Sequence, residues 1–511
     1  MDADVAIIGA GMAGMATAMR LQAQGLRTLV LEAHGQVGGC AGFYRKAGFA
    51  FDVGATTLVD FQPGGVGGQF LAEVGLRSID GEVLPAYHAW LPDRTITLYR
   101  DPAAWHTERL AAFGDTPAHR RFWRMLDQVA ETFWATSRAG IKLPLCSLND
   151  GLHAIQSLAL RDWPLVRYLF WSMTDALRTC GLSYDIELGN FLAMLLQDTV
   201  HASPEDAPLI NGALGITIRG AGLTRARGGM FGFWQAVVAH YHALGGKLRV
   251  GTQVERLTQA PLGEGFYLHT RGGQFHAQQV VSTLPIWNSA RLGLPAVADH
   301  LRPYLQRDET DLGGALVVFL GVPENEVDGQ SLTHHQVLVD YRQPLGNGNN
   351  LFISVSAPGD TLSAPSGYRA VMVSTHCELT EWESLTEQEY ERKKTAIGQR
   401  LLTIARRVYP NLGAQARILE VGTPCTYARY THRYRGAVGG IRLTLRNSNL
   451  FAVPYNIGVP GFWQAGDTTW PGLGTVACVL GSRHVADGIL HALSHQIKLS
   501  RSNLQAPVSS L

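Results

Sequence analysis

Cysteine is scarce in this chain, and its few copies are scattered. The six cysteines, none of which belongs to a CxxC pair, are Cys40, Cys146, Cys180, Cys377, Cys425 and Cys478. Zinc sites and disulfide frameworks need closely or regularly spaced cysteines, so the pattern argues against both. We therefore expect no metal site and a reducing, cytoplasmic location.

Long apolar runs and an excess of one charge are also missing. No uninterrupted apolar stretch reaches the about 18–20 residues that a membrane-spanning helix needs. The 43 basic and 42 acidic residues nearly balance, so neither a basic field nor a motif for nucleic acid is present. The first apolar strand is expected to start near Asp4, which leaves no room for a cleaved signal peptide.

Glycine, by contrast, is abundant, with 57 copies, and the first cluster forms a motif. Residues 5–8 are typical of a buried parallel strand, and Gly9, Gly11 and Gly14 follow where that strand should turn into a helix. Such glycines permit a tight turn, close approach of a pyrophosphate and packing of the helix on the sheet. A second apolar strand ends at Glu32, placed to accept hydrogen bonds from an adenosine ribose. The chain is therefore predicted to bind a dinucleotide.

A second glycine cluster indicates which dinucleotide to expect. Gly38 and Gly39 follow the acidic strand directly, and Gly54 and Ala55 come shortly afterwards. A nicotinamide-binding domain has no need for close backbone here, whereas a flavin dinucleotide that runs past both loops does. At this point the sequence resembles the flavin-dependent amine oxidase and carotenoid desaturase superfamily, which implies FAD as the cofactor.

The far end of the chain supplies an independent signal. Gly466 and Asp467 form a turn after a predicted strand, and Gly472, Gly474 and Thr475 lead into a predicted helix. An acid on that turn can hold the hydroxyls of the ribityl or pyrophosphate part of a flavin. The positive end of the helix can face the negative charge that develops on the flavin ring.

A central block fits the same layout. Residues 227–285 show a glycine turn, an amphipathic helix and strands. In the resembled superfamily this block returns the chain to the flavin domain, and the backbone at the position of Val254 lies against the adenine. Val254 is assigned to the cofactor by the resemblance alone.

These anchors predict an α/β fold with two domains. The Rossmann-like FAD-binding domain is expected to assemble from residues 1–90, 215–300 and 425–495. An α+β substrate domain with a helical lid is expected from residues 91–214 and 301–424, and a disordered tail from residues 496–511. Helical spacing at residues 117–137 and 151–179 and strand-like runs at 314–321 and 351–356 support this division.

The resemblance becomes more specific within these segments. Residues 38–56 look like the carotenoid isomerase and desaturase branch, and residues 56–65 look most like the carotenoid 3',4'-desaturases. The resemblance implies an enzyme that moves a hydride from an allylic C–H bond of a carotenoid to flavin N5, with oxygen or a quinone as electron acceptor. The alternatives are a carotenoid cis–trans isomerase that uses reduced FAD, an amine-oxidase-like flavoenzyme, and a non-catalytic lipid carrier of the kind of the prenyl-binding Rab GDP-dissociation inhibitors, which look similar in fold. Those carriers lose intact flavin motifs, whereas this chain keeps all three.

Few catalytic side chains are needed for such chemistry. A conjugated polyene delocalises the developing positive charge. The protein therefore needs only to align the substrate with the flavin, exclude water and provide a weak base. His432 and Arg435, near the predicted flavin edge, are candidates for orienting the substrate or accepting a proton. Cys40 is interpreted as a small residue beside the cofactor, and His334 and His335 as ordinary surface groups.

One segment bears on membrane contact. Residues 161–178 interleave tryptophans, a tyrosine and arginines on an apolar helical pattern. Such a helix can lie in a membrane interface, with its rings in the acyl boundary and its guanidinium groups at the headgroups. A core helix with snorkelling arginines is the alternative. A peripheral membrane surface is therefore an expectation.

Overall fold

The computed structural model describes residues 1–145, 150–152, 156 and 160–504, which are organised by two large sheets. The first sheet has seven strands and is parallel around its centre. Its strands run in the order Lys247–Arg249, Thr28–Leu31, Ala3–Ile8, Gly273–Ser282, Phe266–Thr270 and Val254–Gln259, and Phe462–Gln464 also pairs with Gly273–Ser282. Three distant parts of the chain thus meet in one sheet. The predicted α/β class is confirmed.

The second sheet also has seven strands and is mainly antiparallel. Their order is Ile418–Gly422, Gly313–Pro323, Tyr368–Glu378, Asn350–Val355, His334–Leu338, Ala86–Trp90 and Thr95–Tyr99. The strand Ala86–Trp90 falls in the segment expected to belong to the FAD-binding domain. It joins the second sheet instead because Tyr87 and Ala89 pack into a helical core with Phe122 and Trp123.

Smaller strands and the helices complete the fold. The minor strands are Phe43–Lys46 with Phe49–Asp52, and Leu58–Val59 and Gly81–Val83 on either side of Leu223–Ala226. The α-helices are Met12–Ala23, Val66–Glu73, Pro102–Phe113, Pro117–Ala139, Met173–Cys180, Ile186–Thr199, Leu209–Ile216, Ile218–Ala221, Gly229–Ala243, Ile286–Ala290, Pro295–Asp308, Glu387–Ala405, Pro424–Thr431 and Thr475–Leu504. Short 3-10 helices are Gly39–Ala41, Leu160–Phe170, Pro261–Gly263, Glu324–Glu326, Leu379–Trp382, Tyr434–Gly436 and Asn449–Phe451.

Local sequence signals explain where the helices begin and end. In Pro117–Ala139 the Thr116 side chain accepts from the His119 amide, a proline occupies the first turn, and left-handed Gly140 ends the helix. Residues 151–179, expected to be one helical stretch, are divided. Leu160–Phe170 is a 3-10 helix, and a capping box between Ser172 and Asp175 starts a new α-helix. Residues 153–155 and 157–159 of that stretch lie outside the described residues.

The C-terminal helix corrects the prediction of a disordered tail. It runs over Thr475–Leu504, so residues 496–504 continue a helix whose first turns are anchored by buried Val479, Val485 and Ile489. Residues 505–511 lie outside the described residues. In the described part of the chain, no helix is both long and apolar enough to cross a bilayer.

Candidate active site

A cavity of about 1390 Å³ is lined by residues of both large sheets. From the first sheet it takes the ends of Ala3–Ile8 and Thr28–Leu31 and the start of Val254–Gln259. From the second it takes one face of Gly313–Pro323 and Tyr368–Glu378. The cavity therefore connects the expected dinucleotide site to the expected substrate domain.

The N-terminal glycines shape one end of this cavity. Gly9 has φ +103°, and a Cβ there would lie 2.5 Å from Thr283 Oγ1. A Cβ on Gly14 would lie 2.0 Å from the Gly9 carbonyl oxygen, so the helix packs against the turn with no room for a side chain. The helix Met12–Ala23 begins at Gly11 with no side-chain cap. Its first amides are therefore available for an anion such as a pyrophosphate.

Glu32 is held by the backbone at the end of its strand. Its carboxylate accepts hydrogen bonds from the amides of Ala10, at 2.7 Å, and His34, at 2.8 Å. The carboxylate also lines the cavity. Since a carboxylate has about four acceptor positions, the remaining ones can receive the hydroxyls of a ribose. Val254, at the start of its strand, lines the same end of the cavity.

The second glycine loop touches the first. The Gly38 amide donates to the Ala10 carbonyl at 2.9 Å, and a Cβ on Gly39 would lie 3.5 Å from Gly11 Cα. Gly38 has φ +121°, and a Cβ there would lie 2.4 Å from Gly42 Cα. Glycine is therefore needed at Gly38 for packing within the protein. Since these glycines carry no side chains, the two loops line the cavity with backbone atoms.

The C-terminal loop brings an ion pair to the same cavity. Arg433 Nη2 lies 2.9 Å from Asp467 Oδ2, and Arg433 Nε donates to the Ala437 carbonyl at 2.7 Å. Although burial alone would lower the pKa of Arg433, the Asp467 carboxylate raises it above its ordinary value. Both side chains line the cavity, and no atom lies within 4 Å of the Cβ position of neighbouring Gly474. The ion pair and the open position at Gly474 therefore belong to the same cavity.

Most of the residues that the sequence singled out lie on this one cavity. The lining includes Gly9, Gly11, Glu32, Gly38, Gly39, Gly54, Ala55, Val254, Gly466, Asp467, Gly474, Thr475 and His432. Gly14 and Gly472 stand behind it, packed against the Gly9 carbonyl and the Leu443 side chain.

Arg435 does not line the cavity. Its guanidinium forms ion pairs with Glu383 and Glu309, the latter at 3.5 Å, which hold it away from the expected flavin. Arg433, two residues earlier, lines the cavity instead. Burial raises the pKa of the Cys40 thiol, which agrees with a small neutral residue beside the cofactor.

A group of polar side chains deep in the same cavity has no counterpart among the sequence predictions. Its members, which we call the polar cluster, are Asp198, His201, Arg219, Gln336 and His376. They come from four separate segments of the chain with no regular spacing. The only local signal is that Asp198 and His201 follow an apolar helical run.

His334 and His335 are also placed differently from the prediction of surface groups. Both are fully buried in the strand His334–Leu338. His335 Nε2 lies 2.8 Å from the Tyr409 hydroxyl, and Ser354 Oγ lies 3.1 Å from His334 Nε2. Burial lowers the pKa of His335 to about 3, so the ring stays neutral.

Comparison with known proteins identifies the fold and the cofactor. The model of the family "Flavin containing amine oxidoreductase" matches residues 12–490. The chain belongs to this family. It is an FAD-dependent oxidoreductase, and the glycine loops, Glu32 and the uncapped helix fit the dinucleotide that this family carries.

Curated relatives agree with the branch that the motifs indicated. Prolycopene isomerase from Daucus carota is 24% identical over 497 residues, covering 93% of this chain and 78% of its own length. Phytoene desaturase (lycopene-forming) from Paracoccus is 24% identical over 514 residues, covering 96% of this chain and 97% of its own. The resemblance to the carotenoid isomerase and desaturase branch is confirmed.

Solved structures share the fold across the whole chain. Cyclohexylamine oxidase from Brevibacterium oxydans has a TM-score of 0.60 at 16% identity, covering 97% of this chain and 100% of its own. An oxidoreductase from Methanosarcina mazei has a TM-score of 0.60 at 15% identity, covering 94% and 99%.

Proposed function

We propose that this family member desaturates a carotenoid, with the C-3',4' bond as the position of oxidation. The observation that carries the proposal is the continuity of the cavity from the FAD cradle into an apolar space. The apolar lining of that space includes Leu214, Ile218, Leu223, Val317, Phe352 and Met372. A long hydrocarbon placed there gains free energy by leaving water and reaches the flavin end of the same cavity.

The chemistry divides between cofactor and protein. When bound, FAD supplies the oxidant that takes up a hydride at N5. The apolar walls exclude water and hold an allylic C–H bond in line with that position. Because conjugation spreads the developing positive charge, the protein needs only a weak base to accept the proton that is lost from the neighbouring carbon.

The choice of the 3',4' bond is supported by the loop at residues 56–65. Thr56 and Thr57 line the cavity, and the Thr56 carbonyl accepts a hydrogen bond from Arg225 Nη1 at 3.2 Å. Arg225 is itself paired with Asp52 at 2.8 Å, with both side chains buried. The start of the segment that most resembles the 3',4'-desaturases is therefore part of the cavity wall, where a buried ion pair holds it.

A second candidate is a carotenoid cis–trans isomerase that uses reduced FAD. It is favoured by the relatives named prolycopene isomerase, including those from Oncidium at 26% identity. The two reactions differ in electron balance, since desaturation passes electrons to oxygen or a quinone and isomerisation has no net acceptor.

The test is expression in bacteria that accumulate lycopene or a hydroxylated derivative of it, followed by pigment spectra. Desaturation lengthens the conjugated system and shifts absorption to the red. A changed cis band without longer conjugation would instead support the isomerase, and unchanged pigments would contradict both. Consumption of oxygen, or of an added quinone, by the purified protein separates the two reactions independently.

We also propose that the protein works as a cytoplasmic enzyme at a membrane surface. Exposed apolar side chains concentrate near the predicted interfacial segment: Trp163 is 42% exposed, Phe170 60%, Tyr184 96% and Ile186 64%. Tyr168, by contrast, is buried and packs edge-on against Trp171. Trp163, Phe170, Tyr184 and Ile186 are therefore the side chains that we propose for membrane contact, while the buried Tyr168 is not among them.

A further inference from the structure

The polar cluster is held by contacts among its members. Gln336 Nε2 donates to Asp198 Oδ2, and Arg219 Nη2 donates to Gln336 Oε1 at 3.4 Å. The other carboxylate oxygen, Asp198 Oδ1, lies 3.8 Å from His376 Nδ1, and the rings of His376 and His201 lie 4.6 Å apart at 64°. One oxygen of Asp198 is thus oriented by Gln336, while the other faces the histidines.

Three buried nitrogens of this cluster have no hydrogen-bond partner in the described protein, namely Arg219 Nε and one ring nitrogen of each histidine. His201 is only 8% exposed, and His201 Nδ1 and His376 Nδ1 are buried atoms with no hydrogen-bond partner in the described protein. Buried polar atoms without partners are uncommon and carry a desolvation penalty. Asp198 and His376 keep 21% and 20% of their side-chain surface, and both line the cavity. Structural packing alone does not account for this arrangement.

Two consecutive glycines connect the cluster to the flavin loop. A Cβ on Gly439 would lie 2.1 Å from His201 Cε1, and a Cβ on Gly440 would lie 2.0 Å from the Asp467 carbonyl oxygen. Adjacent Cα atoms are about 3.8 Å apart. The His201 ring contacts one of these glycines and the Asp467 backbone contacts the next, so the ring lies close to the expected flavin end of the cavity.

We propose that Asp198 is the proton acceptor of the desaturation and that His376 and His201 are positioning residues for it. This inference rests on the proposed function. One allylic C–H bond loses a hydride to FAD, which is the oxidant and gains two electrons. The neighbouring C–H bond loses its proton to Asp198 Oδ1, and the electron pair of that bond forms the new double bond.

The charges around Asp198 suit this role. Burial raises its pKa to about 6, although the Gln336 hydrogen bond and the Arg219 charge act in the opposite direction. Burial lowers the pKa of His376 to about 4, helped by Arg442, and it lowers the pKa of His201 well below the ordinary value. Both rings are therefore neutral near pH 7, and each has one N–H donor and one acceptor nitrogen. Tyr87, the remaining titratable neighbour, stays a phenol because burial raises its pKa to about 12.

The first test is anaerobic reduction of the FAD-loaded protein by an acyclic carotenoid, followed by stopped-flow absorption of the flavin. In the unmodified protein the rate should rise as pH increases through about 6, because the base acts in its ionised form. Asp198→Asn should lower the rate by about 100-fold and remove that rise. Asp198→Glu should restore part of the rate. Asp311→Asn removes another largely buried carboxylate outside the cavity and should keep the pH profile.

The second test does not depend on turnover. Infrared difference spectra of the protein over a pH series, with and without Asp198→Asn, should reveal one carboxyl group that titrates near pH 6. Flavin content and carotenoid binding, measured by absorption, should be the same in both proteins.

The outcomes are distinct. If the unmodified protein is reduced but Asp198→Asn is reduced equally fast, the proton-acceptor role is wrong while the proposed function stands. If Asp198→Asn instead weakens binding of oxygen-bearing carotenoids and spares hydrocarbons, the cluster binds a substrate oxygen and the inference is also wrong. If no polyene reduces the unmodified protein, the proposed function itself fails.

Discussion

Arg433 and Asp467 form an ion pair on the cavity wall, with Arg433 Nη2 2.9 Å from Asp467 Oδ2 and with side chains only 11% and 14% exposed. The loop that carries Asp467 follows the strand Phe462–Gln464, so the first sheet fixes where this pair stands. We therefore expect the position of this pair, and with it any contact to the cofactor, to depend on the first sheet.

Replacing Asp467 should reduce FAD binding. Asp467→Ala removes an acceptor for the cofactor and leaves the Arg433 charge unpaired, which for a buried pair costs about 3–5 kcal/mol. We expect purified Asp467→Ala to carry much less flavin per protein than the unmodified chain, as measured by visible absorption. Glu383→Gln is the matched control, since Glu383 pairs with Arg435 outside the cavity. Equal flavin content in both variants would contradict a role for Asp467.

Gly14→Ala should abolish flavin binding or folding, because its Cβ would lie 2.0 Å from the Gly9 carbonyl oxygen. Gly189→Ala is the matched control. Gly189 lies in the helix Ile186–Thr199, no atom lies within 4 Å of its Cβ position, and alanine favours a helix by about 1 kcal/mol. Thermal melting and flavin content measure both effects. A Gly14→Ala protein with full flavin content would show that the turn relaxes easily.

The residues of the expected dinucleotide site could be predicted from the sequence, because each of them is required by the backbone of its own turn or strand end. Gly9 and Gly38 occupy backbone conformations with positive φ that glycine adopts readily, and each stands at a turn beside a strand. Asp467 similarly follows a short strand and precedes a helix. Such relationships are readable along the chain, so nearly all of these residues line one cavity.

The polar cluster and the buried histidines follow from no local rule. Asp198 and His376 are 178 positions apart in the sequence, and only the folded chain brings Asp198 Oδ1 to 3.8 Å from His376 Nδ1. His335 is polar yet buried, since Tyr409 and Trp90 satisfy its ring nitrogens. Arg435 fails as a candidate for the opposite reason, because Glu383 and Glu309 hold it outside the cavity.

Arg435→Ala should therefore leave the chemistry almost unchanged. Its ion pairs are partly exposed and contribute about 0–1 kcal/mol each. We expect the rate of flavin reduction by a carotenoid to stay within about threefold of the unmodified rate, an effect below one kcal/mol. If the rate of flavin reduction falls while the flavin content is unchanged, Arg435 takes part in catalysis and this prediction is wrong.

Stability should fall on acidification through the buried histidines. Burial lowers the pKa of His335 to about 3, and that of His484 likewise to about 3, while unfolded histidines titrate near pH 6.5. The unfolded chain thus binds more protons below pH 6.5, and stability is lost as pH falls from there toward the folded pKa. Each such group contributes a slope of at most about 1.4 kcal/mol per pH unit.

The His335→Asn protein provides the test of that slope. Its unfolding free energy, measured in urea at pH 7, 6 and 5, should depend less steeply on pH than that of the unmodified chain. An equal slope would show that His335 is protonated without cost in the folded protein. His300→Asn, at an exposed histidine, is the control and should leave the slope unchanged.

Membrane association should depend on the exposed apolar surface. A variant combining Trp163→Ser, Phe170→Ser and Tyr184→Ser removes three large exposed apolar side chains. We expect it to co-sediment with lipid vesicles much less than the unmodified protein. Leu419→Ser, at a residue that is 50% exposed on the second sheet, should sediment normally. Equal sedimentation of all three proteins would place the membrane contact elsewhere.

The most direct test of the central claim is anaerobic mixing of the FAD-loaded protein with an acyclic carotenoid, with flavin absorption and product mass recorded together. The account predicts that the oxidised flavin band bleaches as a product two hydrogens lighter appears, with one flavin reduced for each new double bond. A flavin that stays oxidised while the carotenoid is unchanged, or is only isomerised, would contradict it.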